Sequence, residues 1–489
     1  MDIFLVLLAI VTILLVITLM SRERKNFPPG PPGIPLLGNI NDLKPESMLT
    51  TLRALHKQYG DLVSIRFFHH HLIFVGGSKS TNELLVKRGD VLGRKPYFFI
   101  GTEIFQNSGV FASSGQLWKE HRTFGITSLR NFGFGKRTLQ TRIMEEIDYF
   151  LAEVDSYKGK PFDIQPLISK SIANVIAALV FGKRFELTDR TSAEMCSLLN
   201  EFVSSTAFQS SINFFPFLDY LPGDLFGSKK LKRDFDRIFE VMQSIVDEHR
   251  STLDENNIRD YIDCFLLEQK KKDEASEDHT FTDKQLLVTV SEFFTAGMET
   301  TSTAIRWGIL YLLHNPDTQK RMRKEIDNVV ASGRFPLLDD KPKLPFCEAV
   351  CYEVLRIANV APTTGPHALK DDVTMNGYVI PKNATLFIDL DSINMDPDLF
   401  PDPFKFNPDR FMSEDGVVTG TEKIGSFSTG RRVCMGESMA KMELFLFMTS
   451  LVQRYEIQKE AGKPLPSLDG IEGLTYSPKK YEICLSRID

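Results

Sequence analysis

Phe427-Ser428-Thr429-Gly430-Arg431-Arg432-Val433-Cys434-Met435-Gly436 carries the densest chemistry in the chain. Gly430 and Gly436 have no Cβ, so the backbone on both sides of the cysteine can pass close to a flat ligand. The stretch leads into an apolar helical pattern that starts near Cys434 and runs through Leu446 to Gln453. A thiol just ahead of a helix gains from the positive end of that helix, which favours the charged sulfur. Arg432 offers a cation to a carboxylate on the ligand, and Phe427 can cover the sulfur and keep water away. Together these meet the needs of an iron-binding thiolate, shielded and held in one direction, with Cys434 as the metal ligand.

Upstream, the chain reads as one long apolar-biased helix from about Asp283 to His314, started by Thr282-Asp283 and stopped by Asn315-Pro316. Inside it lies Ala296-Gly297-Met298-Glu299-Thr300-Thr301. A mid-helix glycine costs about 1 kcal/mol relative to alanine. Followed by an acid and a hydroxyl, it points to a local opening of the helix ladder with room for dioxygen and water. On the residues alone, a surface glutamate and a threonine bonded back to its own helix fit equally well. Glu353-Val354-Leu355-Arg356 sets an acid and a cation three apart on a helix, where they can pair, ahead of Pro408-Asp409-Arg410-Phe411. Trp118 and Arg122 are four apart and share a helix face.

The segment around Cys434 resembles the haem-binding loop of the cytochrome P-450 family, Phe-x-x-Gly-x-Arg-x-Cys-x-Gly, at every fixed position, which weighs against an incidental cysteine. The resemblance covers nearly the whole chain. It implies the cytochrome P-450 fold, mainly α with a smaller β portion (α+β), with a long central helix over haem b. It implies that Glu353, Arg356 and Arg410 form a buried structural lock behind the haem. Trp118, Arg122, Arg432 and His367 (in Gly365-Pro366-His367-Ala368) would hold the haem propionates. Thr300 would deliver protons to the oxygen being activated, with Glu299 as its acidic neighbour. Within the family the chain looks closest to the animal microsomal group that oxidises drugs, steroids and fatty acids, on Leu129-Arg130-Asn131-Phe132-Gly133 and the Gly-Met-Glu-Thr-Thr segment. Asp409 stands where Glu is commoner, and Met435 where a small or branched residue is usual.

Thiolate pushes electron density onto iron and favours O–O cleavage, so the ligand type speaks to the reaction. The expected reaction is monooxygenation: an organic substrate, dioxygen, two electrons and two protons give a hydroxylated or epoxidised product and water. No Gly-x-Gly-x-x-Gly fingerprint for a flavin or nicotinamide is present. Electrons would come from NADPH through a separate flavoprotein reductase, with cytochrome b5 as a second donor. Lys119, Arg122, Arg130 and Lys136 offer such an acidic partner a docking face, though a solvated cationic surface accounts for them almost as well. The alternatives are a haem-thiolate isomerase that needs no reductase and a non-catalytic haem or lipid binder.

At the other end, Ile3 to Met20 is an uninterrupted run of 18 apolar or threonine residues. As a helix it spans roughly 27 Å, enough for a thin bilayer. Asp2 precedes it, and Arg22, Arg24 and Lys25 follow, the order of a retained anchor with a cytosolic body and not of a cleaved signal. We therefore expect an anchor over 1–21, a basic stop and proline-rich spacer over 22–38, and one catalytic domain over 39–489, on the endoplasmic reticulum membrane. Of the 489 residues 42% are hydrophobic and 25% charged, as in an ordinary globular chain, and the net charge of −6 excludes a basic footprint for nucleic acid. Six scattered cysteines show no disulfide framework. Cys347 and Cys351 read as two small buried side chains on one helix face.

Leu62 to Val75 reads as two strands around a turn carrying His69, His70 and His71, and Phe208 to Phe226 as an apolar loop, a lid or a second lipid contact. Lys270 to His279 reads as a solvated connector. By the family's layout the substrate would meet residues 100–111, 202–215, 293–296, 360–365 and 474–476. Phe98, Phe99, Phe105, Phe208, Phe293 and Phe294 are candidates for an aromatic cage. With no cation cluster to clamp a carboxylate there, a small apolar substrate of drug, steroid or fatty-acid size is expected.

Overall fold

The computed structural model describes residues 11–12, 26–34, 37–39, 42, 47–68, 70–185, 190–203, 211–213, 215–331 and 333–488. The expected anchor lies outside the described residues apart from Val11 and Thr12, and among the described residues no helix is long and apolar enough to cross a membrane.

Helices dominate. The longer ones are α1 (Met48–Tyr59), α2 (Gly115–Asn131), α3 (Leu139–Ser156), α4 (Gln165–Val180), α5 (Arg190–Val203), α6 (Ser228–Ser251), α7 (Tyr261–Glu274), α8 (Asp283–His314), α9 (Pro316–Val329), α10 (Pro345–Ala358) and α11 (Glu437–Arg454). The short strands are β1 (Leu62–Phe67), β2 (His70–Val75), β3 (Leu92–Arg94), β4 (Phe162–Asp163), β5 (Ala368–Leu369), β6 (Val373–Met375), β7 (Tyr378–Ile380), β8 (Thr385–Ile388), β9 (Tyr455–Gln458), β10 (Gly470–Glu472), β11 (Tyr476–Pro478) and β12 (Glu482–Arg487). β1 pairs antiparallel with β2, and β8 joins β2 in parallel.

The long central helix spans Asp283–His314, as its caps predict. The Thr282 hydroxyl accepts the Gln285 N–H at 3.2 Å, and Pro316 cannot continue the ladder. From Thr301 to Leu313 every side chain is buried, so α8 runs through the interior with packing on all sides. It packs on α4 and α11, whose apolar residues join it in the largest core. Trp307 illustrates the fit: fully buried, it stacks between Tyr311 and Tyr476 and donates its indole N–H to the Tyr476 carbonyl at 3.0 Å. Burying a large apolar side chain contributes about 1.5–3 kcal/mol.

Three local expectations change. The proline-rich stretch is extended as expected, but it is no free spacer. The Pro29 carbonyl accepts the Ser64 N–H at 2.7 Å, the Pro28 carbonyl accepts the Ser64 hydroxyl at 2.8 Å, and Phe27 enters the core beneath β7 and β8. Extended backbone without internal bonds has its carbonyls free to join a sheet edge, and here it does. His70 and His71 belong to β2, opposite Phe67 and Arg66, and not to the turn; His69 lies outside the described residues. Lys270 to Glu274 forms the last turn of α7, so only the remainder of that polar run is a connector. Cys347 and Cys351 are buried and unbridged on α10, as read from their spacing.

Candidate functional site

A cavity of about 550 Å³ lies between the Cys434 loop, the middle of α8, the first half of α2 and the segments at Lys95 and Thr364–His367. The cysteine loop is built by local backbone chemistry. Thr429 is extended, Gly430 to Arg432 make one 3₁₀ turn, and the Cys434 N–H donates to the Phe427 carbonyl at 3.0 Å. Gly430 sits at φ +78°, and a Cβ there would lie 2.2 Å from the Leu85 carbonyl oxygen. Its glycine is therefore required by packing on the turn at 83–87, not by close approach to a ligand. Gly436 would place its Cβ 3.9 Å from the Cys434 sulfur.

The Cys434 sulfur is open, but onto the cavity: it lines that space while protein encloses it on its other sides. Burial pushes the thiol up. The N–H groups of Gly436 and Glu437, at the start of α11, and the Arg122 charge pull it the other way. The helix end acts in the expected direction, yet desolvation outweighs it, so a metal ion is needed to hold the thiolate at neutral pH.

One edge of the cavity is crowded with cations. The Trp118 ring stands 4.4 Å from the Arg432 guanidinium and 5.8 Å from that of Arg122. Arg122 donates to the Val433 carbonyl at 2.6 Å, and Arg432 to the Ser113 carbonyl at 2.7 Å. Burial and the Arg122 charge bring Arg432 down to about 10. Burial, followed by Arg432, brings Lys95 down to about 7. Burial, Lys95 and Arg432 hold His367 neutral. His367 is fixed by paired backbone bonds to Leu386 at 2.8 Å. Like charges gathered in a dry site oppose their own ionisation. An anionic edge on a flat ligand would relieve that, and with an open sulfur on the same cavity the residues present fit a haem with its two propionates. Trp118, Arg122, His367, Phe427, Arg432 and Cys434 all line this one space.

Thr300 lines it too, with its hydroxyl donating to the Ala296 carbonyl at 2.8 Å. The helix shows no opening there: α8 is continuous, and the missing Cβ of Gly297 accommodates Ile176 of α4, whose nearest atom would lie 3.1 Å away. Glu299 is not beside Thr300 in the cavity. Adjacent helix positions point about 100° apart, and the Glu299 carboxyl turns away to accept the hydroxyls of Thr303 at 3.1 Å and Thr475 at 3.2 Å. Burial raises its pKa.

The lock forms as the resemblance implies. Glu353 takes the Arg356 Nε and NH2 groups at 2.7 and 2.8 Å, the Arg410 Nε at 3.1 Å and the Asn407 N–H at 2.8 Å. The aromatic cage does not. Phe293 lines the cavity, whereas Phe294 packs on Phe181 and Phe185, and Phe99 and Phe105 form a separate core with Phe202 and Phe235. Phe98 packs on the edge of that core, and Phe208 lies outside the described residues. Segments 202–215 and 474–476 contribute nothing to this cavity among the described residues. Sequence reasoning missed Lys95, Glu292 and Gln285. Each is an ordinary polar residue until the fold brings Lys95 to His367 and Glu292 to the loop at 109–112.

A sequence model of the family described as cytochrome P450 matches residues 28–485. The chain is similar to cytochrome P450 2B2 of Rattus norvegicus, 35% identical over 479 residues that cover 97% of this chain and 96% of the relative. It is similar to cytochrome P450 2F3 of Capra hircus, 33% identical with 98% of each covered. It is likewise similar to cytochrome P450 2D28 of Mesocricetus auratus, 33% identical over 97% of this chain and 96% of the relative.

Proposed function

This chain belongs to the cytochrome P450 family and is a haem-dependent monooxygenase, and from that premise we propose that it oxidises small apolar molecules of drug, steroid or fatty-acid size with electrons from a separate NADPH-dependent flavoprotein reductase. The observation that carries this reading is the joint lining of one cavity by the Cys434 sulfur, Trp118 with the cations Arg122 and Arg432, and the Thr300 hydroxyl. Haem b supplies the reductive splitting of dioxygen when its iron is held by a thiolate.

The chain's own residues do the rest. Cys434 is the sulfur ligand, and the Phe427 carbonyl fixes its backbone. Arg122, Arg432, His367 and Trp118 would hold the carboxylate edge of the cofactor. Thr300 holds a proton at the edge of the cavity; its Oγ1 must leave the Ala296 carbonyl to donate inward. Burial raises the pKa of Glu299, and its carboxyl reaches Thr300 only by turning away from Thr303 and Thr475. Phe293, Ala296 and Val110 supply apolar wall.

Two partners follow. Lys119, Arg130 and Lys136 are exposed and form the docking face for the reductase, with cytochrome b5 as a second donor at the same face. Phe217, Tyr220 and Leu225 are 62, 87 and 82% exposed, and tilted and edge-on ring contacts lead from Phe217 through Phe215 to Phe68. This exposed apolar rim supports a contact with lipid, in keeping with the expected anchor over 1–21 and an endoplasmic reticulum location with the body in the cytosol.

The test is turnover of fatty acids, steroids and drug-like compounds with purified reductase, NADPH and dioxygen in vesicles. Hydroxylated or epoxidised products with matching NADPH use are expected. Products formed with peroxide substrates alone, and none with NADPH and reductase, would overturn the proposal.

A further inference from the structure

The cations that line the cavity are not equivalent. Lys119, Lys370 and Arg431 are exposed. Arg122 and Arg432 stand beside Trp118 and match the two carboxylates of a haem one to one. Lys95 is a further cation on the same wall, and it lies outside every segment from which the sequence predicts contact with substrate. The fold delivers it: β3 ends at Arg94 and pairs with β5, which follows directly on His367.

Gly365 makes room for the Lys95 side chain. A Cβ at that position would lie 3.6 Å from the ammonium nitrogen and 2.7 Å from the Phe111 ring. The Phe111 ring covers one side of the ammonium, with its centroid 5.1 Å away. The backbone N–H of Lys95 donates to the Ser114 hydroxyl at 2.9 Å. The ammonium itself has no such partner: among the described residues nothing accepts a hydrogen bond from it and no carboxylate forms an ion pair with it. Glu292 of α8 pulls on it through space, but that carboxylate is committed to the Val110 and Phe111 N–H groups at 2.5 and 3.0 Å. Burial, followed by the Arg432 charge, works against the protonated form. A half-dry ammonium with all its donors free gains from any anion that comes within hydrogen-bond distance.

We propose that Lys95 is a substrate-binding residue: its ammonium takes the carboxylate of an otherwise apolar organic acid at the edge of the cavity, and so selects such acids over their neutral analogues. This deepens the reading that apolar molecules enter this cavity, and rests on it. The expectation of a site without a cation for a carboxylate came from segments that exclude Lys95. One ammonium suits one negative charge, and a dianion would leave its second charge desolvated and unpaired. An ester or alcohol accepts only a bond of about half the strength. Val110, Phe293 and Ala296 supply apolar surface in the same cavity, so the body of the acid is buried while its head is held.

The experiment uses the full chain loaded with haem and compares octanoic acid with methyl octanoate by titration calorimetry, which reads binding whether or not the haem spectrum changes. The measurement is made at about pH 6, below the value of about 7 for Lys95 and above the ordinary carboxyl range. The acid is expected to bind about ten-fold or more tightly than the ester, the size of a charge-assisted bond. Lys95→Met keeps the length of the side chain and removes its charge and donors. It should bring the acid to the affinity of the ester and leave the ester nearly unchanged. Equal affinities in the unsubstituted protein, no binding of the acid, or a preference for the acid that persists in Lys95→Met overturns the proposal. So does a Lys95→Met protein that folds but no longer holds haem, because the ammonium then belongs to the cofactor's carboxylates. Turnover with reductase, NADPH and dioxygen is a separate measurement: its absence would count against monooxygenation and leave these binding constants readable.

Discussion

Replacing Glu353 by alanine should cost about 4 kcal/mol, a figure that follows from what the carboxylate holds. Glu353 and Arg356 are both fully buried, and Arg410 nearly so. The substitution removes the acceptor of four donors: two guanidinium N–H groups of Arg356, one of Arg410 and the Asn407 backbone N–H. Arg356 keeps the Asn394 and Pro403 carbonyls, each at 2.8 Å, and Arg410 keeps the Pro401 carbonyl at 2.9 Å. Both cations stay hydrogen-bonded but lose their counter-charge. Breaking one partner of a buried pair costs about 3–5 kcal/mol; the retained carbonyl bonds pull toward the lower value and the second stranded cation toward the upper. Against a native stability of about 5–15 kcal/mol, this is a large share. The assay is urea unfolding of the purified protein followed by circular dichroism, with haem retention by absorbance at each step. Arg356→Lys, which keeps the charge but loses the fork, should fall between the alanine variant and the native protein. A Glu353→Ala protein within about 1 kcal/mol of the native one, an ordinary surface value, would refute the lock as a stabilising unit.

Cys434→Ser should leave the fold intact and abolish the thiolate signature in the reduced carbon monoxide spectrum. Thr300→Ala should retain haem but lower the fraction of electrons reaching product by about ten-fold or more, with peroxide made instead, and Glu299→Gln should act less because its carboxyl faces Thr303 and Thr475; coupling measured as product per NADPH separates the two. Gly430→Ala forces a Cβ onto the Leu85 carbonyl at a left-handed φ and should cost at least about 2 kcal/mol, read as a lower unfolding midpoint and loss of haem. Glu443 is fully buried, with its pKa raised well above the carboxylate range by burial and offset only in part by the Thr301 hydroxyl, so its contribution to stability is present below the unfolded value of 4.5 and is lost as pH rises toward the folded one. Glu443→Gln should therefore gain stability over the native protein at pH 8 and show no gain at pH 4, by urea midpoints at the two values.

What was legible in the sequence is what a single element encodes. The bounds of α8 were readable because a capping threonine and a terminating proline act within a few residues of the helix ends. Cys434, Phe427 and Arg432 were readable because one short loop carries them all. Trp118 with Arg122, and Glu353 with Arg356, were readable because helix spacing pairs them. The errors have the same origin seen from the other side. The proline-rich stretch has the composition of a spacer, and only the presence of β1 alongside it turns its carbonyls into sheet acceptors. The aromatic cage failed because a phenylalanine carries no mark of which core it joins. Gly430 was picked out for the absence of a Cβ, but the object that comes close is protein; Gly297, read as a weak point in the helix ladder, instead makes room for Ile176.

The residues that reasoning missed share a physical cause, and it bears on how such a site arises. Lys95 and Glu292 have ordinary polarity and unremarkable neighbours in the chain, yet burial brings both to about 7. Lys95 reaches the cavity because β3 pairs with β5, next to His367. Glu292 reaches the 109–112 loop because α8 is straight through that region and the loop can fold back on it at a glycine. Neither fact is local. The chemistry common to the family sits in short segments and survives as motifs, whereas the residues that shape the edge of the cavity are set by which loop the fold lays against which helix turn. Differences in substrate choice between this chain and relatives about a third identical should therefore concentrate at such edge positions, and exchanging Lys95 should alter which molecules bind while leaving the haem-thiolate spectrum unchanged.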